Sequence, residues 1–152
     1  MKKLHNFTIG FVGIGIMGKP MSLNLHKAGA NMVIFNRNTR ISRELQEHYK
    51  PRITAVDSPA ELARMAETVI IMVADTPAVE SVLFGYNGLA QGIHAGSLVI
   101  DMGTTAVAQT REFAQRITTL GADYIDAPVS GGEIGASNGT LSIMAGGKPE
   151  VI

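Results

Sequence analysis

Apolar runs of strand length alternate along this chain with stretches that repeat at helical spacing. Thr8–Val12 is followed by the amphipathic stretch Met17–Ala28, Met32–Phe35 by Ile41–Tyr49, and Leu98–Asp101 by Ala106–Leu120, while Thr68–Val73 and Tyr124–Ala127 add further strand-like runs. A period of two and a period of 3.6 cannot both describe one segment, so each switch between them marks an element boundary. Repeated strand–helix alternation predicts parallel strands joined by helical crossovers, and so an α/β fold.

Local start and stop signals agree with that division. Ser58-Pro59-Ala60-Glu61 reads as a capping box with proline at the first helical position, opening a helix through about Ala66 after a short strand near Ile53–Val56. Gly29 and Gly121 stand where two helices should stop, because glycine accepts the left-handed conformation of a C-terminal cap. Thr140–Ala145 reads as one more strand, and Gly146-Gly147-Lys148-Pro149-Glu150 as a turn into a new helix that begins as the sequence reaches Ile152. A lone helical turn has little stability, so residues 1–152 are expected to be the N-terminal domain of a longer protein.

Composition narrows the function classes. The 152 residues carry 13 basic and 13 acidic side chains, so no net field or basic run favours nucleic acid or an anionic membrane, and an anion would need a local site. With no cysteine in the chain, a disulfide framework, thiol catalysis and a thiolate metal site are excluded, which suits the cytoplasm. Lys2 and Lys3 ahead of an apolar stretch imitate a secretory signal. Four glycines, Lys19 and Pro20 interrupt that stretch, and no run of apolar residues is long enough to span a membrane. His5, His26, His48 and His94 match no ligand spacing and read as solvated or singly satisfied, so no metal is expected. Met17, Met21, Met65 and Met72 read as core or gap fillers, although Met17, inside a glycine loop, could also meet a cofactor through its backbone N–H.

The chemistry concentrates in Gly13-Ile14-Gly15-Ile16-Met17-Gly18, which joins the first strand to the first helix. Gly13 allows a tight turn, Gly15 lets the backbone approach a pyrophosphate, and Gly18 lets the helix pack close on the strand. The helix N-terminus adds free N–H groups and positive dipole. Strand, turn and helix together predict a dinucleotide site on a Rossmann-like, doubly wound, mostly parallel sheet with helices on both faces. An NAD site commonly places an acid about 20 residues beyond the first glycine, against the ribose 2′-hydroxyl. Here stands Asn36, followed by Arg37, Asn38, Thr39 and Arg40. These residues offer donors to a 2′-phosphate, favouring NADP while leaving NAD possible, unless the arginines are merely solvated at a helix start.

The chain resembles the β-hydroxyacid dehydrogenases, the 3-hydroxyisobutyrate dehydrogenase family, over nearly its whole length. The likeness rests on Gly13–Met21 with Asn24-Leu25, on Met72–Pro77 with Val82–Gly85, and on Asp126–Ala136 leading to Gly139-Thr140-Leu141. It implies reversible hydride transfer between a nicotinamide cofactor and a small 3-oxo or 3-hydroxy acid, in a protein that forms homo-oligomers through a helical C-terminal domain absent here. It also implies that Val73, Ala74 and Asp75 border the cofactor, although Asp75-Thr76-Pro77 equally reads as a helix start. Thr104 would lie near nicotinamide and substrate. Gly103 and Val107 stand where the family commonly has Ser and Pro, which opens the question of the loop's shape. Ser130-Gly131-Gly132 can offer a hydroxyl and successive N–H groups to a substrate carboxylate, or form a plain glycine turn. The family's proton donor is a lysine expected beyond Ile152, so no catalytic residue is assigned within the chain, and Lys148 does not match that motif. A non-catalytic dinucleotide-binding module is the reading from another class.

Overall fold

The computed structural model describes residues 3–152, so Lys2 of the leader-like pair lies outside the described residues. The elements run β1 (Thr8–Val12), α1 (Gly18–Lys27), β2 (Asn31–Phe35), α2 (Thr39–Tyr49), β3 (Ile53–Ala55), α3 (Pro59–Met65), β4 (Thr68–Ile71) and α4 (Thr76–Phe84). A single 3₁₀ turn at Leu89–Gln91 precedes β5 (Leu98–Asp101), α5 (Val107–Thr119), β6 (Asp123–Asp126), β7 (Val129–Ser130), α6 (Gly132–Asn138) and β8 (Ser142–Ile143). Six parallel strands form one sheet in the order β3-β2-β1-β4-β5-β6, the doubly wound arrangement expected from the alternation.

Period-two alternation hands successive strand residues to opposite faces. Val12, Val69 and Ile71 join Leu62, Val79, Leu83, Phe113 and Ile117 in one core, covered by α3, α4 and α5. Phe11, Ile34 and Ile70 join Met21, Leu45 and Ala136 in the other, covered by α1, α2 and α6. Strands buried on both faces need continuous apolar runs, which explains their Val/Ile-rich sequences. The cap at α3 forms as the capping box requires on one side, with Ser58 Oγ accepting from Glu61 N at 3.1 Å. The glutamate reaches back one residue further than expected, accepting from Asp57 N at 3.1 Å. Gly29 and Gly121 adopt positive φ of 108° and 81° behind their helices.

The structure corrects three expectations and adds one helix that the sequence did not signal. The strand foreseen over Thr140–Ala145 shrinks to Ser142–Ile143, which pairs antiparallel with Val129–Ser130 outside the main sheet. Both residues are exposed, and a ladder without an apolar face to bury stays short. Helix α6, whose glycines and asparagine argue against helix, forms nonetheless because Gly135 and Ala136 pack down on the fold. Met65 is 47 % exposed at the end of α3 rather than in the core. His26 is buried rather than solvated, and its Nδ1 finds no hydrogen-bond partner because the ring packs edge-on against Tyr49 at 5.3 Å between centroids.

Candidate functional site

The strand registers align Phe35, Val12, Ile71, Asp101 and Asp126, so five parallel strands end level. The residues after them therefore share one edge: Asn36, Gly13, Met72, Met102 and Ala127. The strand order reverses between β1 and β4, and in such sheets the crevice for ligands opens at that switch, outside the carboxyl ends.

Each glycine of the first loop has a distinct job. Gly13 has φ +98°, and a Cβ there would fall 2.0 Å from the carbonyl oxygen of Met72, so only glycine lets the β1 and β4 loops close on each other. A Cβ at Gly18 would fall 1.7 Å from the Gly13 carbonyl oxygen, so this residue sets the approach of α1 to the loop. Gly15 is different, since a Cβ there would meet nothing within 4 Å. The protein itself does not require that glycine, and the open space above it is what an approaching ligand would use. Among the described residues, the N–H groups of Gly15, Ile16 and Met17 have no acceptor. Unpaired donors at the start of α1 and a backbone free of side-chain bulk fit the pyrophosphate of a dinucleotide. Ile14 contributes differently from its neighbours: its side chain is buried and its N–H already donates to Asn36 Oδ1 at 2.9 Å. Ile16 is 72 % exposed at the loop, and Met17 packs partly into the core.

At the end of β2, Asn36 latches that loop and donates from Nδ2 to the Asn38 carbonyl at 3.1 Å. Asn38 Oδ1 accepts from Arg40 N at 3.2 Å and so caps α2, whose first residue is Thr39. Arg40 is occupied by an exposed pair with Glu44 at 2.9 Å. Arg37 is exposed, with no ion pair or side-chain hydrogen bond among the described residues. The turn thus presents one uncommitted guanidinium and no carboxylate.

After β4, Val73 is half-buried and Ala74 exposed, while Asp75 Oδ1 accepts from Ala78 N at 2.9 Å, which makes it the N-cap of α4. Thr76 Oγ1 accepts from Ala106 N at 3.0 Å and ties α4 to the loop after β5. Thr104 is exposed at the crest of that loop, between Gly103 and Thr105. Both neighbours are held by Asp101, a fully buried carboxylate that reading along the chain passed over as the end of a strand. Its one signal in sequence is an acid closing an otherwise apolar run. Tyr124 also donates to Asp101, and burial, then the charge of Asp101, push its hydroxyl well above the ordinary phenol range.

Ser130, Gly131 and Gly132 are exposed, with φ of +138° and +61° at the two glycines. Asn24 Nδ2 on α1 donates to the Ala136 carbonyl at 2.7 Å, fastening α6, and with it this turn, to the helix of the glycine loop. Lys148 pairs with Asp123 at 3.2 Å. Asp123 opens β6, so Lys148 lies at the opposite edge of the sheet from the loops above.

The sequence matches the family described as the NAD binding domain of 6-phosphogluconate dehydrogenase over residues 8–152. It is 43 % identical to 2-hydroxy-3-oxopropionate reductase of Escherichia coli strain K12 over 143 residues, covering 94 % of this chain and 48 % of that protein. The fold matches 3-hydroxyisobutyrate dehydrogenase of Mycobacterium tuberculosis, solved with L-serine, with a TM-score of 0.85 and 33 % identity over 95 % of this chain and 47 % of that one. It also matches Psf3 in complex with NADP+ and 2-OPP, with a TM-score of 0.85 and 28 % identity over 94 % of this chain and 50 % of that one. The chain spans about half the length of the relatives it matches. A glycine loop at the switch point of a 3-2-1-4-5-6 sheet and the family match over residues 8–152 lead to one conclusion: this chain belongs to the family of the NAD binding domain of 6-phosphogluconate dehydrogenase, and within it is similar to the β-hydroxyacid dehydrogenases.

Proposed function

We propose that the chain is the dinucleotide-binding part of an NADP-preferring β-hydroxyacid dehydrogenase that reduces 2-hydroxy-3-oxopropionate, also called tartronate semialdehyde, to glycerate. The observation that carries the cofactor preference is the end of β2, where Asn36 is neutral and spent on latching the Ile14 N–H while Arg37 stands exposed and unpaired. An acid there would accept from a ribose 2′-hydroxyl and repel a 2′-phosphate; an amide beside a free guanidinium does the reverse. A bound nicotinamide supplies or takes up the hydride. The chain's own residues hold and orient: the N–H groups of Gly15, Ile16 and Met17 receive the pyrophosphate, Thr104 meets the nicotinamide end, and Ser130 with the N–H groups of Gly131 and Gly132 receives the substrate carboxylate. The developing alkoxide needs one proton. Lys148 sits at the wrong edge to deliver it, so this chain alone is expected to bind the dinucleotide and turn over no hydroxy acid.

The 43 % identity to 2-hydroxy-3-oxopropionate reductase supports this substrate, and the likeness to 3-hydroxyisobutyrate dehydrogenase supports the second reading, a branched 3-hydroxy acid. Assay of the full-length protein against a panel of small 3-oxo and 3-hydroxy acids separates the two. Titration of Arg37→Ala tests the cofactor: NADPH should weaken by about 1.5–3 kcal/mol, the scale of a hydrogen bond to a charged group, with NADH almost unchanged. Equal weakening of both, or of neither, removes the NADP assignment.

A further inference from the structure

Asp101 is the one fully buried acidic side chain among the described residues, and it closes β5 directly ahead of the loop that carries Thr104. Its Oδ1 accepts from Gly103 N at 3.0 Å, and its Oδ2 accepts from Thr105 Oγ1 at 2.6 Å and from Tyr124 OH at 3.1 Å. All three donors are neutral, so no cation offsets the removal of this carboxylate from water. Burying a carboxylate costs several kcal/mol unless hydrogen bonds replace its hydration, and an apolar residue of similar size would hold a strand end more cheaply. What the acid gains is geometry. Two of its hydrogen bonds go to the residues immediately before and after Thr104, and the third runs sideways to β6. The loop is pinned again at both ends, by Met102 N donating to Ile71 O at 2.9 Å and by Ala106 N donating to Thr76 Oγ1 at 3.0 Å. A Cβ at Gly103 would fall 3.0 Å from Val73 O and 3.3 Å from Asp101 Oδ1, so the glycine lets the carboxylate draw the loop against the one after β4. Thr104 is exposed between a buried Gly103 and a half-buried Thr105, both of them tied to the carboxylate beneath.

Resting on the dinucleotide reading above, we propose that Asp101 is a positioning residue. It clamps Gly103 and Thr105 so that Thr104 is presented rigidly to the nicotinamide end of the site, with Tyr124 holding the carboxylate from the adjacent strand. Tyr124 stays a donor at any working pH, because burial and the neighbouring acid oppose loss of its proton.

The test uses the full-length protein and the variants Thr105→Val, Tyr124→Phe and Asp101→Asn, with Thr105→Ser as the conservative control. Amide hydrogen exchange of Gly103 and Thr104 reads the clamp without any ligand, and calorimetric titration compares NADPH with adenosine 2′,5′-bisphosphate, which lacks the nicotinamide half. Thr105→Val and Tyr124→Phe should speed exchange in the loop and weaken NADPH by about tenfold, the scale of one hydrogen bond to a charged group. Affinity for the adenosine bisphosphate should stay at the wild-type value, and Thr105→Ser should restore both properties. Asp101→Asn should act more strongly, since it removes the charge that all three donors bind and leaves an amide N–H₂ in place of one accepting oxygen; if it fails to fold, the two single-donor variants still decide. Unchanged loop exchange in Thr105→Val overturns the clamp. Equal loss of both ligands overturns it too, by showing general damage rather than positioning. A wild-type protein that binds neither ligand overturns the dinucleotide reading, while the exchange measurement still decides the clamp.

Discussion

Substituting alanine for each of two glycines in the first loop should separate a residue the fold needs from one the ligand needs. At Gly18 the new methyl would lie 1.7 Å from the Gly13 carbonyl oxygen and 3.1 Å from Phe11 Cε1, both on rigid neighbours. The first distance is less than half the roughly 3.5 Å optimum for non-bonded heavy atoms, so α1 must back away from β1. Overpacking of this kind costs about 3 kcal/mol when the obstacle is backbone. In a domain of 152 residues that corresponds to a loss of about 6–12 °C in Tm. At Gly15 the methyl would meet nothing within 4 Å, and the residue is not among the glycines at positive φ. Alanine there costs the native state nothing and restricts the unfolded chain, a gain of about 0.4–1 kcal/mol. The same methyl occupies the space above the free N–H groups, so at least one hydrogen bond to a charged phosphate is lost and Kd for NADPH rises about tenfold or more. Thermal unfolding and fluorescence titration of the two variants read the two effects separately. A Gly15→Ala protein that melts as early as Gly18→Ala, or that keeps its NADPH affinity, would refute the division of labour within the loop.

Three further outcomes follow from the site and its surroundings. On the proposed role of Ser130, Ser130→Ala in the full-length protein should raise KM and lower kcat together in steady-state assays, because a small substrate has few other handles, while leaving NADPH affinity unchanged. Asp126, half-buried with Asp101 nearby, has its carboxyl pushed above the ordinary range, by burial first and by Asp101 second. The native state then holds its proton to higher pH than the unfolded chain does, so stability falls as pH rises through the window above the ordinary carboxyl pKa. Asp126→Asn should raise Tm at neutral pH and flatten that window; an unchanged melting curve across the same pH range would contradict it. His26 is displaced the other way, below the ordinary imidazole pKa, by burial and then by Arg52. The unfolded chain binds the proton first on acidification, so the stability present above about pH 6.5 should decline as pH falls below it, and His26→Phe should remove that part of the slope in a pH series of melts.

The sequence alone determined the elements of the six-stranded sheet and the glycine turn of the first loop, because those depend on local rules. Val69-Ile70-Ile71 is apolar throughout because both faces of a central parallel strand are covered, and Gly13, Gly15 and Gly18 stand at the spacing that a strand–turn–helix over a pyrophosphate requires. The reading of Asp75 as a helix start was equally local and describes what its side chain does at Ala78 N. Tertiary structure alone decided the rest. Helix α6 has a sequence poor for helix and exists because Gly135 and Ala136 pack down and Asn24, 112 residues away in sequence, donates to the Ala136 carbonyl. His26 has the polarity of a surface residue on an amphipathic helix and is buried because Tyr49 of another helix covers it. Of the three donors to Asp101, Gly103 N stands at the local spacing of an Asx turn, but the burial of the acid and the hydroxyl of Tyr124 come only when β6 pairs beside β5. Periodicity and glycine spacing record what a residue needs from its neighbours along the chain; a buried acid or an unlikely helix is stabilised by groups that only the packed fold brings within reach.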